Sequence, residues 1–202
     1  YMYPLLESIK IIDGEYQLLD YHTRRMTRSL MELYGTAAHP VEFEKITEEL
    51  NTNSSPGIFK LRIEYGKEEY KYTVTPYSIK PVQSLLVVDS DTLDYSLKYS
   101  DRSPLEQLYS KREMHDDIII CRHGAITDSY YANLAFEKDG VWFTPDTALL
   151  QGVKRTWLIQ SGAIKEKEIY IEDLPDYSRI CLFNAMIEFG ELELPVGAIH
   201  IP

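Results

Sequence analysis

The segment between Pro76 and Pro81 divides this chain into two patterned stretches. Proline gives no amide hydrogen to a strand or helix and fixes its own φ, so neither element continues through such a bracket. Before it, LESIKIIDGEYQLL alternates apolar and polar residues around Asp13-Gly14, a hairpin signal. Asp20 is placed to cap a helix reaching about Tyr34 and stopped by Gly35, with His22, Met26, Leu30 and Leu33 at helical spacing. A second helix is expected from about Val41 to Leu50, and GIFKLRIEYGKEEYKYTVTPY reads as two strands meeting near Gly66-Lys67. After Pro81 the pattern restarts with SLLVVD as a strand, a helix from about Pro104 to Met114, and strands at DIIICR, ANLAFEKDG and VWFTP. A helix then starts after Gly152 and ends near Gly162, followed by strands at KEIYI and RICLF. Each stretch is α+β, which predicts a small domain over 1–80 and a larger one over 81–202.

Composition narrows the partners. The formal charge of −11 argues against nucleic acid or an anionic membrane surface, since both reward positive charge, and any anionic ligand must be met by a local group of cations. Cys121 and Cys181 have no C-x-x-C spacing, which suits core thiols in a reducing compartment, and a cytoplasmic protein is expected. The apolar runs DIIIC and LLVV are too short to span a bilayer, and nothing resembles a signal peptide. Histidines 22, 39, 115, 123 and 200 lack paired ligand spacing, so no metal is expected. Dinucleotide, Walker, zincin, nucleophile-elbow and EF-hand motifs are all absent.

One stretch stands out against this background. TDSYYANLAF, residues 127–136, puts Asp128 at the head of an apolar run. A carboxylate taken out of water there needs a cation or hydrogen-bond donors to meet it.

Four segments supply a candidate partner. IDGEYQLLDYHTRRM with its H-x-x-R, LKYSDR with its lysine, GAITDSYYANLAF followed by VWFTPDTALLQGVKR, and CLFNAMIEF occur in that order, and together they make the chain resemble the class IV (fold type IV) pyridoxal-phosphate enzymes. That group holds branched-chain and D-amino-acid aminotransferases and aminodeoxychorismate lyase. The resemblance implies a two-domain, D-amino-acid aminotransferase-like architecture, a homodimer, and pyridoxal 5'-phosphate as cofactor. It casts Lys98 as the Schiff-base lysine, carried by the large domain, and such an amine must be partly unprotonated, hence desolvated or close to other positive charge. Arg25 matches the arginine that holds the cofactor phosphate through its planar donor fork, with His22 on the same helix face. Gly152, Val153 and Lys154 match a second phosphate contact at a helix N-terminus, Gly152 by allowing a tight turn; Asn184 and Ala185 match a third, by side-chain amide or backbone N–H. Asp128 matches the carboxylate that bonds the pyridine N1–H.

The sequence also departs from the family pattern. Aspartate stands at 128 where glutamate is usual, and Lys154 where threonine is common. The match begins at Tyr1 to Pro4, later than in family members, so a small domain shortened at its N-terminus is expected. Asn184-Ala185-Met186 is similar to the lyases, and the leading expectation is a lyase acting on a small anionic amino compound, releasing 4-aminobenzoate and pyruvate from 4-amino-4-deoxychorismate. The alternatives are an aminotransferase for branched-chain or D-amino acids and a catalytically silent relative.

Overall fold

The computed structural model describes residues 2–51 and 56–202. The chain forms two compact units: residues 1–79 with 97–101, and residues 80–96 with 102–202.

In the first unit, β1 (Leu5–Ile12) turns at Asp13-Gly14 into the short β2 (Glu15–Tyr16), followed by α1 (Leu19–Tyr34), α2 (Phe43–Asn51), β3 (Ile58–Tyr65) and β4 (Tyr70–Pro76). The sheet is antiparallel in the order β2-β1-β3-β4. Along β1 the alternation places Leu5, Glu7, Ile9 and Ile11 on one face, and all four are buried. From α1, His22, Arg25, Met26, Ser29 and Leu30 are buried at three- and four-residue spacing, whereas Arg24 and Arg28 are exposed. Leu5, Ile9, Met26, Leu30, Ile46, Leu61 and Ile63 form the core. Gly35 ends α1 at φ 67°, its N–H bonded to the Met31 carbonyl, as expected. The start differs from the expectation: Leu18, at φ 55°, precedes the helix, and Asp20 lies within its first turn.

Residues 97–101 join this unit. Leu97 is in its core, Leu6 N–H donates to the Lys98 carbonyl at 2.9 Å, Tyr99 bridges Leu5, and Ser100 N–H donates to the Pro4 carbonyl at 2.8 Å. Lys98 therefore sits with the first unit and not with the larger one, where the sequence reading had put it. Position along the chain is overridden here by backbone pairing with β1.

The second unit contains β5 (Leu85–Asp89), α3 (Ser103–Tyr109), β6 (Asp117–Arg122), β7 (Ala125–Ser129), β8 (Asn133–Lys138), β9 (Val141–Pro145), α4 (Val153–Gln160), β10 (Lys165–Lys167), β11 (Arg179–Phe183), β12 (Glu193–Pro195) and β13 (Ile199–His200). One sheet runs β13-β5-β6-β7 and another β10-β9-β8-β11-β12. The apolar runs of β5 and β6 pair in parallel and are almost wholly buried, as strands covered on both faces must be. Leu158 of α4 packs in one cluster with Ala135, Ile164, Cys181 and Phe183. Both cysteines are free and buried. Among the described residues no helix is long and apolar enough to cross a membrane, and no group of three or more acidic, histidine or cysteine side chains could hold a metal ion.

Candidate functional site

The first unit holds two of the expected site residues, Arg25 and Lys98. Arg25 is buried, and its guanidinium meets the fully buried Glu7 through Nε to Oε1 at 2.8 Å and Nη2 to Oε2 at 2.5 Å. His22 Nδ1 lies 2.7 Å from the same Oε2. Burial alone would raise the Glu7 pKa, but the Arg25 charge and the hydrogen bonds from His22 and Arg25 outweigh it and hold the group at about 2. The His22 pKa is lowered as well, here by burial, against the pull of Glu7 and with the charges of Arg25 and Lys98 adding to the lowering. The Glu7 carboxylate is thus shared by the His22 ring and the Arg25 guanidinium. Lys98 is half-buried and fixed at its backbone by the bond to Leu6. Arg102, four positions after Lys98 in the chain, belongs to the second unit, where Nη2 donates to the Tyr130 carbonyl at 2.7 Å and the guanidinium lies over the Tyr130 ring.

The other six residues belong to the second unit. Asp128 lies inside β7, every residue of which is buried. Its Oδ1 accepts from Asn133 Nδ2 at 2.7 Å and its Oδ2 from the Leu150 N–H at 3.0 Å. Burial raises its pKa to about 6, against these two donors and the charge of Arg155. The carboxylate is thus met by donors of its own chain, and because an ionised carboxylate has about four lone-pair sites, it keeps capacity for a further donor. Gly152 precedes α4 at φ −63°, ψ 144°, an extended conformation open to any residue. The expected tight turn is not what requires glycine. A Cβ there would stand 2.0 Å from Asn133 Oδ1, so the requirement is space.

The amides of Val153 and Lys154 open α4, where the first N–H groups of a helix have no intrahelical acceptor. The Lys154 side chain is buried, its Nζ 2.5 Å from Glu188 Oε2 and over the Trp157 ring. Asn184 is committed to its own turn. Oδ1 accepts from the N–H groups of Met186 and Ile187, Nδ2 donates to the Tyr131 carbonyl, and its backbone N–H donates to the Ile187 carbonyl. Of the expected pair, Ala185 is the residue whose N–H is not drawn into these bonds.

A family profile for class IV amino-transferases matches residues 5–192. The chain belongs to the class IV aminotransferase family. A protein of Haemophilus influenzae of uncharacterized function is 37% identical over 185 residues, 92% of this chain and 98% of that one. A crystal structure from Haemophilus somnus 129PT, provisionally named a 4-amino-4-deoxychorismate lyase, is 35% identical with a TM-score of 0.86, covering 93% of this chain and 98% of the other. The aminodeoxychorismate lyase of Bacillus subtilis is 23% identical over 187 residues, and the match spans 64% of its length. The α+β, fold type IV architecture expected from the sequence is that of this class IV chain.

Three side chains of this class IV member escaped the sequence reading. Glu7 occupies the core-facing phase of an alternating strand, and a glutamate at such a position demands a cation; that phase was the available signal. Asn133, buried in β8, and Glu188, facing Lys154, carried no comparable periodic mark.

Proposed function

We propose that this class IV protein is a pyridoxal-phosphate-dependent lyase acting on a small anionic amino compound of the 4-amino-4-deoxychorismate type. The observation that carries the reading is its 35% identity, across nearly all of both chains, to the Haemophilus somnus protein provisionally named for that activity. The residues fit the cofactor on three counts. Asp128 is a buried carboxylate with acceptor capacity to spare, α4 opens with unshared amides, and Ala185 adds another on a fixed turn.

In this reading Lys98 supplies the amine that holds the cofactor aldehyde and afterwards removes the proton from the substrate carbon bearing nitrogen. When bound, the cofactor ring supplies an electron sink for the pair left on that carbon. Asp128 accepts the ring N–H and keeps the nitrogen protonated. In the first unit Arg25, pre-oriented by Glu7, is assigned by the family match to the phosphate; in the second, the amides of Val153, Lys154 and Ala185 are suited to an anion. Lys154 brings an ammonium where a hydroxyl is common, and Glu188 fixes its direction. No amino-group acceptor takes part, so one product is an aromatic amine and the other pyruvate. The homodimer and the cytoplasmic location are part of the same proposal; the acidic balance and two buried, unpaired cysteines support the latter.

The test pairs a chemical label with product analysis. Borohydride treatment of the protein loaded with pyridoxal phosphate is expected to fix the cofactor on the peptide containing Lys98, and 4-amino-4-deoxychorismate is expected to yield pyruvate without an added keto acid. Labelling of another lysine overturns the site assignment. Turnover that requires a keto acid replaces the lyase by an aminotransferase.

A further inference from the structure

Asn133 joins parts of the second unit that the proposed function uses separately. Its Nδ2 donates to Asp128 Oδ1 at 2.7 Å and to the Leu150 carbonyl at 3.0 Å, while the Leu150 N–H donates to the other oxygen of Asp128 at 3.0 Å. Both Nδ2 hydrogens are therefore committed. Turning the amide over would set Oδ1 against a carboxylate and a carbonyl, so its orientation is fixed. Oδ1 then stands where a Cβ of residue 152 would be, and sets how closely the residue before α4 can approach. The backbone of Asn133 lies opposite Phe183 in the β8–β11 pair, next to the Asn184 turn.

We propose that Asn133 is a positioning residue: one side-chain amide fixes both the direction of the Asp128 carboxylate and its distance from the N-terminus of α4. The inference rests on the reading of Asp128 and α4 given under Proposed function. A pyridine ring carries its nitrogen and its phosphate arm at a nearly constant separation, so the groups that receive them must keep a constant separation too. Among the described residues, Asn133 is the single side chain bonded to the carboxylate and abutting the helix start. The charge that bears on Asp128 is Arg155, which works in the same direction as the two donors.

The test uses the full chain without cofactor, following the Asp128 carboxyl carbon by NMR across pH, with pyridoxal phosphate affinity measured separately. In the wild-type protein the midpoint is expected near about 6. Asn133→Ala removes a donor to the ionised form and is expected to raise the midpoint by roughly one unit or more. Gly152→Ala removes no donor, but its methyl meets a pinned Oδ1, and it should move the midpoint in the same direction. The double variant should move it no further than Asn133→Ala, because the methyl then has nothing to push. Pyridoxal phosphate affinity should fall about tenfold or more in each single variant. An unmoved midpoint in either folded single variant overturns the proposal, as does an additional shift in the double variant; if Asn133→Ala does not fold, Gly152→Ala alone decides. The titration needs no cofactor, so the two readings separate. Midpoints that move as expected in the variants, with a wild-type protein that binds no pyridoxal phosphate, refute the cofactor reading, whereas fixed midpoints with normal cofactor binding refute only the role of Asn133.

Discussion

Replacing Glu7 by glutamine removes one charge from a buried cluster and leaves its shape nearly intact. The carboxylate is fully buried and is met by Arg25 at 2.8 and 2.5 Å and by His22 at 2.7 Å. Its pKa falls from 4.5 to about 2, because the Arg25 charge and the hydrogen bonds overcome the upward push of burial. At about 1.4 kcal/mol per unit, that difference stabilises the folded state by about 3 kcal/mol at neutral pH. The folded-state value is the depressed one, so the contribution is complete above pH 4.5 and is lost as pH falls toward 2. Glutamine leaves the Arg25 guanidinium buried without that counter-charge, and breaking one side of a buried pair typically costs about 3–5 kcal/mol. Urea unfolding of the cofactor-free protein at pH 7 is therefore expected to show Glu7→Gln less stable by about 3 kcal/mol, with the gap narrowing at pH 3.5, where the unfolded chain's carboxyl, at 4.5, takes up a proton while the buried one, at about 2, stays ionised. A loss under about 1 kcal/mol at pH 7, or a gap that does not narrow on acidification, would refute the reasoning.

Substitutions at two further positions address the second unit. Asp117, buried at the start of β6, has its pKa raised to about 6 by burial, against the Ile118 N–H and the charge of Arg102, so stability should decline as pH rises from about 4 to 6; Asp117→Asn should flatten that decline in thermal unfolding, and an unchanged slope would count against it. Asn184→Ala should cost about 1–3 kcal/mol by leaving the Met186 and Ile187 N–H groups and the Tyr131 carbonyl short of a partner, whereas Asn184→Asp, which keeps the acceptor, should cost less; equal losses in urea unfolding would mean that the turn does not depend on Oδ1.

Local chemistry was legible in the sequence and cross-chain chemistry was not. Asp13-Gly14 marked its turn, and both residues adopt positive φ there, 48° and 88°. Gly35 marked the end of α1 in the same way. β7 left no strand signature because Thr127, Asp128 and Ser129 interrupt its apolar character, although each is buried. Their polar groups are satisfied from outside the strand, Thr127 at the Ile120 carbonyl and Asp128 at Asn133 and Leu150, and no single-strand pattern encodes that. KEIYI, residues 167–171, reads as one strand, but only Lys167 lies in the short parallel β10 (Lys165–Lys167), and Ile171 opens a 3₁₀ turn at Ile171–Asp176. The candidate residues themselves come from ordered motifs, whereas the groups that hold them do not: Glu7 meets Arg25 from 18 positions away, and Asn133, only 5 positions from Asp128, carries no periodic mark.

The return of residues 97–101 to β1 makes the first unit discontinuous, with a consequence for its assembly on the ribosome. Synthesis through residue 79 delivers the whole sheet and both helices, yet the Leu6 N–H and the Pro4 carbonyl then lack the strand that answers them. Exposed edge groups of this kind recruit any extended chain within reach. The next stretch, 80–96, must emerge and pass before its own chain can fill the vacancy. The nascent first unit is therefore sticky for as long as that stretch takes to translate, and Lys98 comes into place in the same event that closes the exposed edge.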